Sequence, residues 1–290
     1  MRYDAPLYRP PSEARSLILQ VTLGCSYNKC LFCNMYKSKR FTVRSPEEIQ
    51  QHIAEGKKWD LNTPQIFLAD GNVLVMDTEQ LIELVHQLYR EFPRLKKVTA
   101  YAGPMDLMEK SDEELSRIRE AGIQMLYLGV ESGSNAVLEK MCKGVDHDTM
   151  AAAGLKAKKA GFVLSCTVIS GLGGKELTED HAIETGRLMS RIDPDYLALL
   201  TLLVEPGAPL EKRIRDGSFQ LLSPYEVLVE TQLMIRHLDV NRCVFRSNHA
   251  SNYLPLGGEL NRDKERLLSQ IADVIARGED GLPADRWRSL

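Results

Sequence analysis

The chain has 290 residues, 43 % of them apolar, and a formal charge of −3 at pH 7. That length suits one large α/β domain or two small ones. The charge argues against a protein held to nucleic acid by a large basic surface, and no run of about 18 apolar residues is present to cross a membrane.

Residues 1–15, "MRYDAPLYRPPSEAR", hold no apolar signal-peptide core. They are read as an N-terminal extension, and the expected compartment is the cytoplasm. Clustered cysteines in a reducing compartment point to metal binding or catalysis rather than to disulfides.

From Ser16 onward one pattern repeats: an apolar β-type run, a polar or Gly-rich loop, a capped helix. The predicted strands are "SLILQVT" (16–22), "QIFLAD" (65–70), "KVTAY" (97–101), "MLYLGVE" (125–131), "VLSCTVIS" (163–170) and "YLALLTLL" (196–203). Their near-continuous apolar character fits strands covered on both faces of a parallel sheet. Helix starts fall between them. Ser45-Pro46-x-Glu48 combines an N-cap, a proline in the first turn and a capping-box glutamate, and Asp77…Gln80 and Ser111…Glu114 have the same form. Asp146 and Thr178 are the expected caps of the next two helices. Consecutive starts lie 32 to 35 residues apart, one βα unit each. A helical repeat array is excluded because every unit begins with a strand. The stripe Leu81, Leu84, Val85, Leu88 is expected in the core.

These units predict an α/β fold, a partial (β/α)6 TIM-type barrel over residues 16–210, with its chemistry at the C-terminal ends of the strands. Residues 211–290 are expected to form a C-terminal α/β extension that closes the barrel mouth. It would hold a helix capped at Ser223, a short strand "RCVFRS", an irregular polar loop "NHASNYLPLGG" and a last amphipathic helix.

Three of the six cysteines fall in "GCSYNKCLFC" (24–33), as Cys25-x4-Cys30-x2-Cys33 in the loop after the first strand. A structural zinc site is closed by four ligands. Here the nearest histidine, His52, falls inside the first helix, and the next cysteine is Cys142. The spacing is also that of plant-type [2Fe–2S] ferredoxins, which use a later fourth cysteine. A [4Fe–4S] cluster on three thiolates leaves one iron open to a substrate or cofactor. The residues alone therefore leave three readings: a structural zinc protein, a non-catalytic iron–sulfur electron carrier, and a cluster enzyme. Cys142, Cys166 and Cys243 are dispersed and suggest no second cluster.

The triplet after strand one resembles that of the radical S-adenosylmethionine (SAM) superfamily, with one residue more than the usual Cys-x3-Cys-x2-Cys. "YLGVESGS" (127–134), "VISGLGGKE" (168–176) and "EPGAPL" (205–210) are similar to segments of its coproporphyrinogen-oxidase-like and methylthiotransferase-like branches. The resemblance covers residues 16–210. It implies that Cys25, Cys30 and Cys33 hold a [4Fe–4S] cluster whose open iron binds SAM. It implies that Phe32 packs near the SAM adenine. Asp70, Gly71 and Asn72 stand where the superfamily has a Gly-Gly-Glu-like motif that holds the SAM amino group, although the glutamate is missing. Glu131 and Ser132 would reach the ribose or methionine part. Ile169 would pack on adenine, and Gly171 would give the backbone room. The implied reaction is reductive cleavage of SAM to a 5′-deoxyadenosyl radical that takes hydrogen from a substrate. An external one-electron reductant such as flavodoxin or ferredoxin is implied as partner.

For the substrate, expected to be a small molecule, the candidates are Tyr101 at the end of the third strand and the polar stretch 245–258. Arg246, Asn248, His249, Asn252 and Tyr253 cluster there. Arginine can fork onto a carboxylate or phosphate, histidine can shift protons near neutral pH, and polar loop residues over a pocket commonly carry recognition.

Overall fold

The computed structural model describes residues 2–278. They fall into two compact units. The first holds the described residues up to Asn28, then Met35–Leu128 and Ala153–Leu164. The second holds Lys29–Asn34, Gly129–Ala152 and the described residues from Ser165 onward. Residues 279–290 of the expected extension lie outside the described residues.

In chain order the first unit opens with β1 (Leu17–Gln20), β2 (Thr22–Leu23), β3 (Thr42–Val43), α1 (Pro46–Asp60), β4 (Gln65–Ala69) and α2 (Thr78–Glu91). It continues with β5 (Lys97–Ala102), α3 (Pro104–Glu109), α4 (Asp112–Ala121) and β6 (Ile123–Glu131), whose last residues belong to the second unit. After α5 (Asn135–Lys140) and α6 (His147–Lys159), β7 (Val163–Ser170) begins in the first unit and ends in the second. The remainder is α7 (Gly174–Ile192), β8 (Tyr196–Thr201), α8 (Pro209–Arg215), α9 (Pro224–Arg236), β9 (Cys243–Ser247), β10 (Leu256–Leu260) and α10 (Lys264–Arg277).

Among the described residues the sheet runs β1-β4-β5-β6-β7-β8-β9-β10, with β1 and β10 at its two edges and no pairing between them. β1, β4, β5 and β6 pair in parallel, as do β7, β8 and β9. The α/β, partial-barrel expectation is met. Its strands carry the core: Leu19, Ile66, Leu68, Val98, Leu126, Leu164, Val168 and Phe245 are all fully buried. Helix starts follow their local chemistry. Ser45 Oγ accepts from Glu48 N (3.3 Å) while the Glu48 carboxylate accepts from Ser45 N (2.8 Å), and Ser111 and Ser223 do the same with Glu114 and Glu226.

Three expectations are corrected, and three short helices are added. The first predicted strand breaks at Val21. Beyond it, β2 pairs antiparallel with β3, a pairing too short to show any periodicity. Thr178 is not a cap: α7 begins four residues earlier, at Gly174, and Leu177 carries non-helical angles inside it. The Thr178 hydroxyl instead donates to Glu230 (2.6 Å). The loop "NHASNYLPLGG" is only partly irregular, since its end forms β10 antiparallel to β9, with Leu256 opposite Ser247. The short helices α3, α5 and α8 were not foreseen, because six or seven residues show too little of a helical stripe.

Candidate functional site

In the first unit, the turn after β4 is built around Asp70, Gly71 and Asn72. Asp70 is fully buried. Its carboxylate accepts from Gly24 N (3.0 Å) and Gln20 Nε2 (3.1 Å), and it pairs with Lys39 Nζ at 2.9 Å. Gly71 N donates to Gly24 O at 2.9 Å. A Cβ at Gly71 would lie 2.7 Å from Gly24 O and 3.0 Å from the Cα of Cys25, so only glycine permits this approach. Asn72 Oδ1 accepts from Ser26 N (3.1 Å), and its Nδ2 donates to Asp106 (2.6 Å). Burial raises the Asp106 carboxyl above its ordinary pKa. The side chains of Asp70 and Asn72 thus fix the segment Gly24–Ser26.

Tyr101 packs in the aromatic cluster of the same unit. Its ring meets Phe67 edge-on, with centroids 5.0 Å apart, and lies 6.1 Å from Tyr127. Tyr127 donates to the buried Glu13, and burial together with that carboxylate raises the phenol's pKa.

In the second unit, the arm Lys29–Asn34 carries Cys30, Phe32 and Cys33. Leu31 anchors it, donating to Met141 O (3.0 Å) and accepting from Leu210 N (2.9 Å). Phe32 and Ile169, both expected near an adenine, pack against one cluster of Val137, Met141, Leu172, Leu202, Leu210 and Phe219.

Glu131 ends β6 with φ +68° and pairs with Lys143 at 3.2 Å. Ser132 is fully buried, and its hydroxyl lies 2.8 Å from His181 Nδ1. His181 Nε2 is 3.1 Å from Ile169 O. A carbonyl can only accept, so Nε2 carries the hydrogen, and in the neutral ring Nδ1 accepts from Ser132. Ser132 Oγ also accepts from Ser134 N at 3.0 Å. Beneath this, Glu230 of α9 accepts from Ser170 Oγ, Gly171 N and Thr178 Oγ1, each at 2.6 Å, and stands 3.8 Å from His181 Nε2. Three of the singled-out residues, Ser132, Ile169 and Gly171, therefore share one buried network. The sequence reading missed its two hubs, His181 and Glu230. A signal existed for Glu230: it is an acid on the buried stripe Val227, Thr231, Met234 of α9.

Of the polar stretch, Asn252 is held to β8, donating to Leu199 O (2.8 Å) and accepting from Thr201 Oγ1 (2.9 Å). Tyr253 is buried. His249 Nδ1 accepts from Ser251 N (3.1 Å), which leaves the hydrogen on Nε2, and burial lowers its pKa. Arg246 and Asn248 are exposed.

None of the six cysteines forms a disulfide; Cys25, Cys30 and Cys33 are partly exposed, while Cys166 and Cys243 are buried. Among the described residues no three His, Cys, Asp or Glu side chains are gathered as a ready metal site. The chemistry of the donors nonetheless suits an iron–sulfur cluster: three cysteines close together in the sequence, each partly exposed and outside any disulfide. No helix among the described residues is long and apolar enough to cross a membrane.

The heme chaperone HemW of Bacillus subtilis (strain 168) is 25 % identical over 202 residues, covering 68 % of this chain and 51 % of HemW, so the chain spans about half of that relative. The 3-methylornithine synthase of Methanosarcina barkeri is 26 % identical over 274 residues, covering 87 % of this chain and 74 % of the synthase. The crystal structure of coproporphyrinogen III oxidase (HemN) from Escherichia coli shares the fold, with a TM-score of 0.55 and 18 % identity over 77 % of this chain and 53 % of that one. The Radical SAM superfamily pattern matches residues 19–189, more than half of the chain, and the chain belongs to that superfamily.

Proposed function

We propose that this chain is an enzyme that cleaves SAM reductively and takes hydrogen from a small-molecule substrate. Enzymes of the superfamily use a [4Fe–4S] cluster and SAM. When bound, these supply a one-electron cleavage whose product abstracts hydrogen. In this reading Cys25, Cys30 and Cys33 hold the cluster. The observation that carries it is the seating of Gly24–Ser26 on the Gly71 turn, which fixes the first thiol's backbone where a strand's C-terminal end meets the loop. The backbone at Asp70, Gly71 and Asn72 receives the polar end of SAM. Phe32 and Ile169 line its adenine, and Glu131 orients the ribose or methionine part. Ser132 and Gly171 hold the turns in place through His181 and Glu230.

Residues 16–210 form the SAM-binding core, and the described part of the extension, 211–278, covers its mouth from the side of the substrate. Tyr101, Arg246, Asn248 and His249 are the substrate-side candidates. An external one-electron reductant such as flavodoxin or ferredoxin supplies the electron.

Anaerobic incubation of reconstituted protein with SAM and dithionite tests this. Release of 5′-deoxyadenosine and methionine is expected. A reducible cluster whose EPR spectrum ignores SAM, with no nucleoside released, would instead mark an electron carrier.

A further inference from the structure

The two sequence relatives named above are a heme chaperone and an amino-acid synthase, so the substrate has to be read from this chain's own residues. We propose that the substrate carries an oxyanion, a carboxylate or a phosphate, and that Arg246 binds it in a two-pronged grip. This rests on the enzyme reading above and adds the substrate's chemical class.

The argument begins with register. β9 alternates, with Cys243, Phe245 and Ser247 buried on one face and Arg246 exposed on the other. Arg246 stands opposite Ala198 of β8 and Gly257 of β10, and Ala198 stands opposite Thr167 of β7. The tier Thr167, Ala198, Arg246, Gly257 therefore has one long side chain, flanked by a methyl group and by a position with no side chain.

Gly257 is there for space. Its backbone needs no left-handed angle, and a Cβ on it would lie 3.3 Å from Arg246 Nη1 and 3.7 Å from Cδ. The guanidinium lies alongside β10 in the room that glycine leaves. Nη1 donates to Phe245 O at 3.0 Å, which fixes the plane of the fork. Among the described residues Arg246 makes no ion pair. The acid of the same face, Glu259 opposite Val244, is engaged with Arg262 (3.5 Å) and Arg242 (3.9 Å). The result is an oriented guanidinium with donors to spare. A planar fork of this kind matches a carboxylate or phosphate edge through two parallel hydrogen bonds.

Spacing limits the substrate's size. Ile169, proposed against adenine, lies two residues beyond Thr167 on the same face, about 6.6 Å along the strand, and Arg246 lies two strands away, about 9.6 Å across. The two backbones are then roughly 12 Å apart, with an arginine side chain reaching into that gap. A substrate anchored at Arg246 would hold its reacting C–H only a few bonds from its oxyanion, as a small organic acid or phosphate ester does.

The test uses the reconstituted full chain and deproteinised cell extract split on an anion exchanger. Two readouts are taken: the shift in melting temperature without reductant, which reports binding alone, and 5′-deoxyadenosine release with dithionite and SAM. The retained, anionic fraction should give both. Methyl esterification should remove the effect if the group is a carboxylate, and phosphatase should remove it if it is a phosphate. Arg246→Met should raise the amount of fraction needed for half-maximal melting shift at least tenfold, with Arg246→Lys recovering part of it. The proposal is overturned if the unretained fraction carries the effect, if neither fraction binds, or if Arg246→Met binds as the wild type does. Binding of the anionic fraction without any nucleoside release would uphold the oxyanion site and sink the enzyme reading instead.

Discussion

The turn after β4 and the turn after β7 are each held by a buried carboxylate, yet the two are balanced differently. Asp70 faces a cation: Lys39, itself only 8 % exposed in its side chain, pairs with it at 2.9 Å. Glu230 faces two hydroxyls, one backbone N–H and an imidazole at 3.8 Å. The first is a buried ion pair, where losing one partner strands a charge. The second is a set of charge-assisted hydrogen bonds, where losing the acid strands neutral donors. Both turns sit at the C-terminal ends of strands, where a barrel of this class does its chemistry, and both are fixed by residues distant in sequence.

That difference can be broken open by mutation. Asp70→Ala should have the largest effect, a loss of about 3–5 kcal/mol in urea unfolding, because Lys39 remains buried without its counter-charge. Exchanging both residues at once, Lys39→Met with Asp70→Leu, should recover much of that loss; if the double variant is no better than the single, the ion pair is not what the turn depends on. Glu230→Ala should lose less, about 3 kcal/mol, since the stranded groups are the Ser170 and Thr178 hydroxyls and Gly171 N. Hydrogen exchange at Gly171 should accelerate in that variant, and an unchanged rate would mean that Glu230 does not hold the turn.

The smallest effect is one of pH. Burial raises the Asp106 carboxyl above its ordinary value of 3.8, so the folded chain holds that proton more tightly than the unfolded chain. The group's contribution is therefore fully present below pH 3.8 and declines as pH rises from there through the folded value. Asp106→Asn, which keeps the shape and removes the titration, should flatten that part of the stability–pH curve. A decline of the same size in wild type and variant would assign it elsewhere.

Much of the barrel was legible because its signals are local. Ser45, Asp77, Ser111 and Ser223 cap their helices through atoms two or three residues away, and the apolar runs mark strands wherever they are long. The cysteine triplet and the glycine-containing turns were legible as motifs. What stayed hidden depends on distant partners. Thr178 looks like a cap until Glu230, 52 residues on, takes its hydroxyl. That the side chains of Asp70 and Asn72 hold the cysteine loop is hidden until Lys39, Gly24 and Ser26 are brought to their polar atoms. Gly257 looks like a turn residue until the register puts Arg246 beside it. His181 and Glu230 belong to no motif, and their joint role appears only when α7 and α9 lie on the same strands.

The central claim is that Cys25, Cys30 and Cys33 hold a cluster with one open iron. Anaerobic reconstitution of the wild type and of a Cys25/Cys30/Cys33→Ala triple variant, followed by iron and sulfide analysis and EPR with and without SAM, tests it most directly. The account predicts about four irons and four sulfides per wild-type chain, a reduced-cluster spectrum altered by SAM, and almost none of either element in the variant. Equal iron and sulfide in the two proteins would contradict it.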